Sequence, residues 1–233
     1  MKHFLALILA LSLFLAMGIC NAQVVSGPSI ALPPAEVILN ACKEMGVEAV
    51  GGEYVISKMP DLINKTGKVF VIDARPARNY DDGFIPTAFN MFDAKFRLIY
   101  PEFEKLNLPK DTEIFIGIGR PCPMSLSDIK QLKEKGFTNL KAFVKGPVFF
   151  EKYFSEVTAK GAKKHVSNGA VVVNLADDAD LSKFFSANTE KDKVIILMGS
   201  AGNAKINYAL AGKVYNAGYK NTAVLNGRIE DIK

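Results

Sequence analysis

The chain has 233 residues, a formal net charge of +5 and 49% hydrophobic residues, so it can form one large or two small domains with buried cores. Its basic residues are spread along the sequence without a dense Lys/Arg block, and we expect no nucleic-acid partner. Only two cysteines and one histidine, Cys42, Cys122 and His165, lie beyond residue 22, which is too few for the usual Cys/His zinc sites, so we expect no metal ion. We also expect no organic cofactor.

The first 22 residues have the pattern of a secretory signal peptide. Lys2 precedes an apolar stretch over residues 4–19, and Ala22 ends a short segment that resembles a signal-peptidase cleavage site. The apolar stretch is shorter than the about 20 residues of a membrane span. We therefore predict cleavage after Ala22, no membrane span in the mature chain, and a periplasmic or secreted location. Lipid attachment at Cys20 is less favoured because the large Ile19 precedes it.

Apolar runs alternate with amphipathic segments along the rest of the chain, which predicts an α/β fold with parallel sheets flanked by helices. The first series consists of a helix at 34–45, strands at 68–73 and 113–118, a helix at 125–135 and a strand at 140–144. The second series consists of strands at 170–174 and 193–198, a helix at 206–216 and a strand at 222–225.

The two series are related by an internal repeat. The segment EKGFTNLKAFVKG, ending at Gly146, resembles NAGYKNTAVLNG, ending at Gly227, and KDTEIFI resembles KDKVIIL. The second copy is shorter, and its loop at 198–205 has no cysteine. We predict a signal peptide at 1–22, an N-terminal extension with a short helix at 23–52, a first module at 53–153 and a degenerate second module at 154–233.

The sequence VIDARPARNYDDGFIPTAFN at residues 71–90 resembles the first signature of the rhodanese superfamily, an Asp-x-Arg, a later Tyr and Gly-His-Ile-Pro-Gly-Ala-x-Asn. Phe84 and Thr87 stand where the family has His and Gly. Residues 114–136 resemble the second signature, a strand, loop and helix. The resemblance implies two rhodanese-like αβα modules, a five-stranded parallel sheet, and an active-site loop at the carboxyl end of a central strand.

In active members of that superfamily a loop cysteine accepts a sulfane sulfur as a persulfide and passes it to an acceptor. The resemblance therefore implies a periplasmic sulfurtransferase or persulfide carrier with Cys122 as the catalytic residue. It implies thiosulfate or polysulfide as the sulfur donor, and it suggests a protein as the sulfur acceptor.

The loop at residues 117–125 favours a reactive thiolate on physical grounds. Ser125 is the predicted N-cap of the next helix, with Asp128 at capping-box spacing. The helix dipole and Arg120 would both favour negative charge on the Cys122 sulfur. We assign loop or substrate contacts to Gly117, Ile118, Gly119, Arg120, Met124 and Ser125, and a structural pairing to Asp73 and Arg75.

Two features of this loop oppose catalysis. The family's usual nucleophile opens the loop, and that position falls here on Gly117 or Gly119. Pro121 and Pro123 lack the N–H groups that would hold a persulfide. A catalytically inactive binding or scaffold protein is therefore the alternative function.

Three further interpretations concern other residues. A Cys42–Cys122 disulfide, or a redox pair of these thiols, would compete with catalysis, although no C-x-x-C motif is present. Otherwise Cys42 is predicted to lie in the core and His165 on the surface. A phosphatase would need an arginine six residues after the cysteine, where Asp128 stands.

Overall fold

The computed structural model describes residues 33–146, 149–174, 181–198 and 204–232. The predicted signal peptide and most of the second loop, residues 199–203, lie outside the described residues. In the part of the chain that is described, no helix is long and apolar enough to span a bilayer.

The first sheet has five parallel strands, and its central strand leads into the Cys122 loop. The strand order is β1-β5-β4-β2-β3. Their bounds are Glu48–Gly51 for β1, Val69–Asp73 for β2, Phe89–Asn90 for β3, Glu113–Gly117 for β4 and Leu140–Lys145 for β5. The central strand β4 is apolar on both faces because both faces are covered by helices.

Among the described residues, the first module has six helices. They are α1 (Ala35–Glu44), α2 (Gly52–Ser57), α3 (Met59–Ile63), α4 (Ala77–Asp81), α5 (Phe96–Glu104) and α6 (Pro123–Glu134). Successive β4 residues point to opposite faces. Ile114 and Ile116 pack with side chains of α1, α5 and α6, whereas Phe115 packs with those of α2 and α3.

The first module begins earlier than the predicted boundary at residue 53. Strand β1 pairs with β5 from Glu48–Lys141 onward, and α1 contributes the buried Ile38 and Cys42 to the first core. The structure therefore includes α1 and β1 in this module, where the sequence predicted an extension. A four-residue strand beside two glycines carries too little periodicity to be recognised.

The second sheet has four parallel strands in the order β6-β9-β8-β7. The strands are β6 (Ser155–Thr158), β7 (Val171–Asn174), β8 (Ile195–Met198) and β9 (Thr222–Asn226), and the helices are α7 (Ala159–Ser167), α8 (Leu181–Ala187) and α9 (Ala204–Asn216). The predicted fold class is confirmed: two α/β units, each with a mainly parallel sheet flanked by helices.

The two modules meet through buried polar contacts. Phe84 and Glu156 exchange two backbone hydrogen bonds of 2.8 Å. The Glu156 carboxylate accepts hydrogen bonds from the Thr87 N–H at 2.7 Å and the Tyr208 hydroxyl at 2.9 Å. The prediction of an exposed His165 was wrong, because this side chain is buried and its Nε2 lies 2.7 Å from the Asp82 carbonyl oxygen.

Candidate active site

Glycines shape the start of the Cys122 loop. Gly117 has a φ of +124°, and a Cβ there would lie 2.5 Å from the Phe143 carbonyl oxygen. Gly119 has a φ of +92° and donates its N–H to the same carbonyl oxygen at 2.9 Å. A cysteine at position 117, where the family's nucleophile would open the loop, has no room in this backbone.

Cys122 is the N-cap residue of α6, a 12-residue helix at the carboxyl end of the central strand. The helix starts two residues before the predicted N-cap Ser125, because Pro123 suits the first helical position with its fixed φ. Ser125 is instead the third residue of the helix, and its hydroxyl has no hydrogen-bond partner in the described structure. The predicted capping box is therefore wrong, and the helix N-terminus lies directly at Cys122.

The described cysteines differ in their oxidation state. Cys42 is a free thiol and is 1% exposed, so the Cys42–Cys122 disulfide that was the alternative to catalysis is not formed. Burial raises the pKa of the Cys42 thiol, which makes it a poor nucleophile. Cys122 is 2% exposed and is disulfide-bonded.

The residues predicted to contact substrate divide into two groups. Ile118, Met124 and Ser125 are buried and support the loop from inside. Arg120 is half-buried and lines a surface depression of about 490 Å³. The other residues around that depression are Ala35, Leu39, Gly119, Pro121, Val144, Lys145, Gly146 and Glu151. Arg120 and Lys145 bring two positive charges next to the Cys122 loop.

Asp73 and Arg75 form a buried bidentate ion pair at the carboxyl end of β2. The Arg75 Nε donates to Asp73 Oδ1 at 2.9 Å, and Nη2 donates to Oδ2 at 2.5 Å. Nη2 also donates to the Gly83 carbonyl oxygen at 2.6 Å. Asn90 donates to the Asp73 and Arg75 carbonyl oxygens at 3.0 and 2.7 Å. This network fixes the edge of the sheet beside the Cys122 loop.

Asp128 lies on the core side of α6 and is fully buried. Neither of its carboxyl oxygens has a hydrogen-bond partner in the described residues. Burial, followed by the charges of Asp93 and Asp73, raises the pKa of Asp128 to about 9. Burial also raises the pKa of Asp93, against the opposing effect of hydrogen bonds from the Ala94 N–H and the Ser127 hydroxyl.

Comparison with known families identifies the first module. The family model of the rhodanese-like domain matches residues 57–147. Residues 57–147 are a rhodanese-like domain. This match spans both predicted signatures from Asp73 through the Cys122 loop. None of the curated proteins matches the sequence.

Solved structures of low sequence identity are similar to the chain. A thiosulfate sulfurtransferase from Pseudomonas aeruginosa is 12% identical, with a TM-score of 0.39, over 87% of this chain and 47% of that one. Wild-type EanB is 15% identical, with a TM-score of 0.32, over 80% of this chain and 60% of that one. The chain thus spans about half to three-fifths of the length of these proteins.

The rhodanese-like domain departs from its family signature where it contacts the second module. Phe84, which replaces His, makes the backbone bridge to Glu156. Thr87, which replaces Gly, has a φ of +71° and donates its N–H to the Glu156 carboxylate. Glycine adopts such a left-handed backbone without steric cost, whereas threonine does not.

Asp128 does not carry the negative charge that its position in a phosphatase motif suggested. A buried Asp128 with a pKa of about 9 is neutral near pH 7 and cannot repel a phosphate. A phosphatase is still not favoured, because the arginine that would clamp the oxyanion is missing from that position. Among the described residues, no three His, Cys, Asp or Glu side chains converge to hold a metal ion.

Sequence reasoning missed two buried acidic residues, Asp128 and Glu156. Asp128 falls on the apolar stripe of α6 with Met124, Ile129 and Leu132, and this spacing indicates a buried acid. Glu156 carries no such signal, because its burial depends on the contact with Thr87 from a distant part of the chain.

Proposed function

We propose that the protein is an exported sulfurtransferase or persulfide carrier in which Cys122 accepts the sulfane sulfur of thiosulfate or a polysulfide. One observation carries the proposal: in a rhodanese-like domain, Cys122 is the N-cap of α6 at the carboxyl end of the central strand. The partial positive charge at a helix N-terminus lowers the pKa of a thiol and stabilises its thiolate. Export rests on the signal peptide predicted at residues 1–22.

In the proposed reaction, Cys122 of the mature, reduced protein first loses its proton to solvent and becomes a thiolate. The Cys122 thiolate then attacks the outer sulfur of thiosulfate. The sulfur–sulfur bond of thiosulfate breaks, sulfite leaves with the bonding electrons, and Cys122 becomes a persulfide. An acceptor thiolate next takes the outer sulfur and regenerates the Cys122 thiolate.

Charges around the loop are suited to an anionic donor. Arg120 and Lys145 line the depression beside the loop, and the α6 N-terminus adds the field of its dipole. We place the entry path for the donor at this depression, because Cys122 directly follows its lining residue Pro121. Glu151 is the acidic residue on the rim.

A binding or scaffold protein without sulfur chemistry is the second function that we propose to test. It is favoured by the 2% exposure of Cys122 and by the two prolines beside it, which supply no N–H to a bound persulfide. It is also favoured by Gly117, where the backbone leaves no room for the family's usual nucleophile.

Intact-mass analysis distinguishes the two functions. The protein is purified as the cell exports it, reduced, freed of reductant, and incubated with thiosulfate or polysulfide, alongside Cys122→Ser and Cys42→Ser. A gain of one sulfur in the wild type and Cys42→Ser, absent from Cys122→Ser and reversed by cyanide, supports sulfur transfer. No gain in a protein whose Cys122 can be alkylated supports the binding protein instead. The same mass tests cleavage after Ala22.

A further inference from the structure

Asp128 is a buried acid for which the proposed sulfur transfer gives no role. It lies six residues after Cys122 in the same helix, α6, and is 0% exposed. Both carboxyl oxygens lack a hydrogen-bond partner in the described structure, as does the Ser125 hydroxyl one turn earlier. A carboxylate without a donor is costly to bury, so this geometry by itself requires a neutral Asp128.

The elements packed on α6 give Asp128 acidic neighbours. Asp93, in the short 3-10 helix at Asp93–Lys95, and Asp73, at the end of β2, both act on its charge. Asp73 is paired with the guanidinium of Arg75. The same core also contains apolar side chains, among them Ile114, Ile116 and Ala142, and the thiol of Cys42. The described structure thus places no basic group in contact with the Asp128 carboxyl.

We propose that Asp128 is a charge gate for anions at the N-terminus of α6. In its neutral form it leaves the helix dipole unopposed, so that an anion can approach Cys122. In its ionised form it places a negative charge inside the same helix and repels that anion. The inference rests on the proposed function for the identity of the anion, the sulfane donor.

The separation is short enough for this effect to be measured. Six residues at 1.5 Å per residue place Asp128 about 9 Å along the helix from Cys122. At that distance, with an effective dielectric constant of about 20, one charge changes the preference for a singly charged anion by about twentyfold. The carboxyl ionises near its pKa of about 9, so the gate closes above the physiological range.

The test compares two alkylating reagents on Cys122 in the reduced full-length protein. Iodoacetate carries one negative charge and iodoacetamide carries none, while both react with the same thiolate. Their rate ratio therefore cancels the fraction of thiolate. We expect the ratio to be constant below about pH 8 and to fall about sevenfold by about pH 10 in the wild type, where about nine-tenths of the Asp128 carboxyl is ionised. In Asp128→Asn it should stay constant.

Glu134→Gln is the matched control, because Glu134 is an exposed acid in the last turn of the same helix. It should follow the wild type. A fall of the rate ratio in Asp128→Asn equal to that in the wild type, or a constant rate ratio in the wild type, would overturn the proposal that Asp128 is a charge gate. So would the absence of any alkylation of Cys122 in the native protein, since a site closed to small reagents admits no anion.

Two further readouts distinguish a failure of the charge gate from misfolding of the variant and from a failure of the proposed sulfur transfer. If Asp128→Asn does not fold, the pH midpoint of the fall in the wild-type rate ratio decides. A midpoint near about pH 9 supports Asp128 as the titrating group. A midpoint near about 10.4 assigns the effect to lysine and overturns the inference. If no sulfur is taken up while the ratio behaves as expected, the proposed function fails and the gate stands. Sulfur uptake with a constant ratio overturns the gate and supports the proposed function.

Discussion

Thr87 donates its backbone N–H to the buried carboxylate of Glu156 over 2.7 Å, and this bond ties the rhodanese-like domain to the second module. Thr87 has a left-handed φ of +71°, a conformation that is unfavourable for a β-branched residue. The same carboxylate accepts the Tyr208 hydroxyl from the second module. The second module therefore contributes directly to the shape of the segment that carries the first family signature.

Replacing Glu156 with Ala should destabilise the protein by about 1–3 kcal/mol, because it leaves the Thr87 N–H and the Tyr208 hydroxyl without an acceptor. Urea denaturation measures the free energy of unfolding. Glu151→Ala is the control, since Glu151 is exposed. Equal stabilities of the two variants would contradict a buried link between the modules.

Arg75→Met should lower the free energy of unfolding by about 3–5 kcal/mol, because it leaves the buried charge of Asp73 without its partner. The matched control is Lys105→Met, which breaks a pair with Glu102 whose side chains are 70% and 66% exposed. Exposed pairs contribute about 0–1 kcal/mol. A loss from Arg75→Met within that range, by the same denaturation measurement, would refute a structural role for the buried pair.

The buried Asp128 predicts that stability falls as the pH rises. The unfolded carboxyl ionises near pH 4, at about 3.9, whereas the folded one keeps its proton until about 9. Between these two pKa values the folded protein binds one proton more than the unfolded protein. The stabilisation that this proton gives to the folded protein is complete below the unfolded pKa and is lost as the pH rises to the folded pKa. Asp128→Asn should therefore gain stability relative to the wild type between about pH 5 and pH 8.

Urea midpoints of the two proteins at these two pH values provide the measurement. Glu134→Gln serves again as the control and should track the wild type. A constant difference between Asp128→Asn and the wild type at both pH values would show that Asp128 is already ionised in the folded protein.

Cys42→Ala should retain sulfur uptake, because the Cys42 thiol is buried and its pKa is raised by that burial. We expect a loss of about 1 kcal/mol in stability from the missing sulfur in the core. Intact mass after thiosulfate treatment reports uptake, and thermal denaturation reports stability. Loss of uptake in a folded Cys42→Ala protein would mean that both cysteines take part in the chemistry.

Apolar periodicity was sufficient to predict most of the sheet strands, because buried parallel strands are continuous hydrophobic runs. Strands β2, β4 and β5 lie within one residue of the predicted bounds at both ends. Strand β1 was not predicted, because its four residues, Glu48–Gly51, gain their stability from pairing with β5. Pairing between segments almost a hundred residues apart leaves no local signal.

The candidate site could be predicted only in part. The Cys122 loop was located from its place between a strand and a helix, but the helix start was not, because Pro123 moved the N-cap from Ser125 to Cys122. Whether Asp128 was charged depended on its burial beside Asp93 and Asp73. Such an environment is created by tertiary packing and cannot be deduced from the spacing of two residues in a motif.

The central claim is that the Cys122 sulfur accepts the outer sulfur of a sulfane donor, and isotope labelling tests it most directly. The reduced protein is incubated with thiosulfate carrying a heavy isotope at its outer sulfur only, and peptides are analysed without reduction. We predict one heavy sulfur on the peptide that contains Cys122 and none on the peptide that contains Cys42. An unlabelled Cys122 peptide, from a protein in which iodoacetamide still reaches that thiol, would contradict the account.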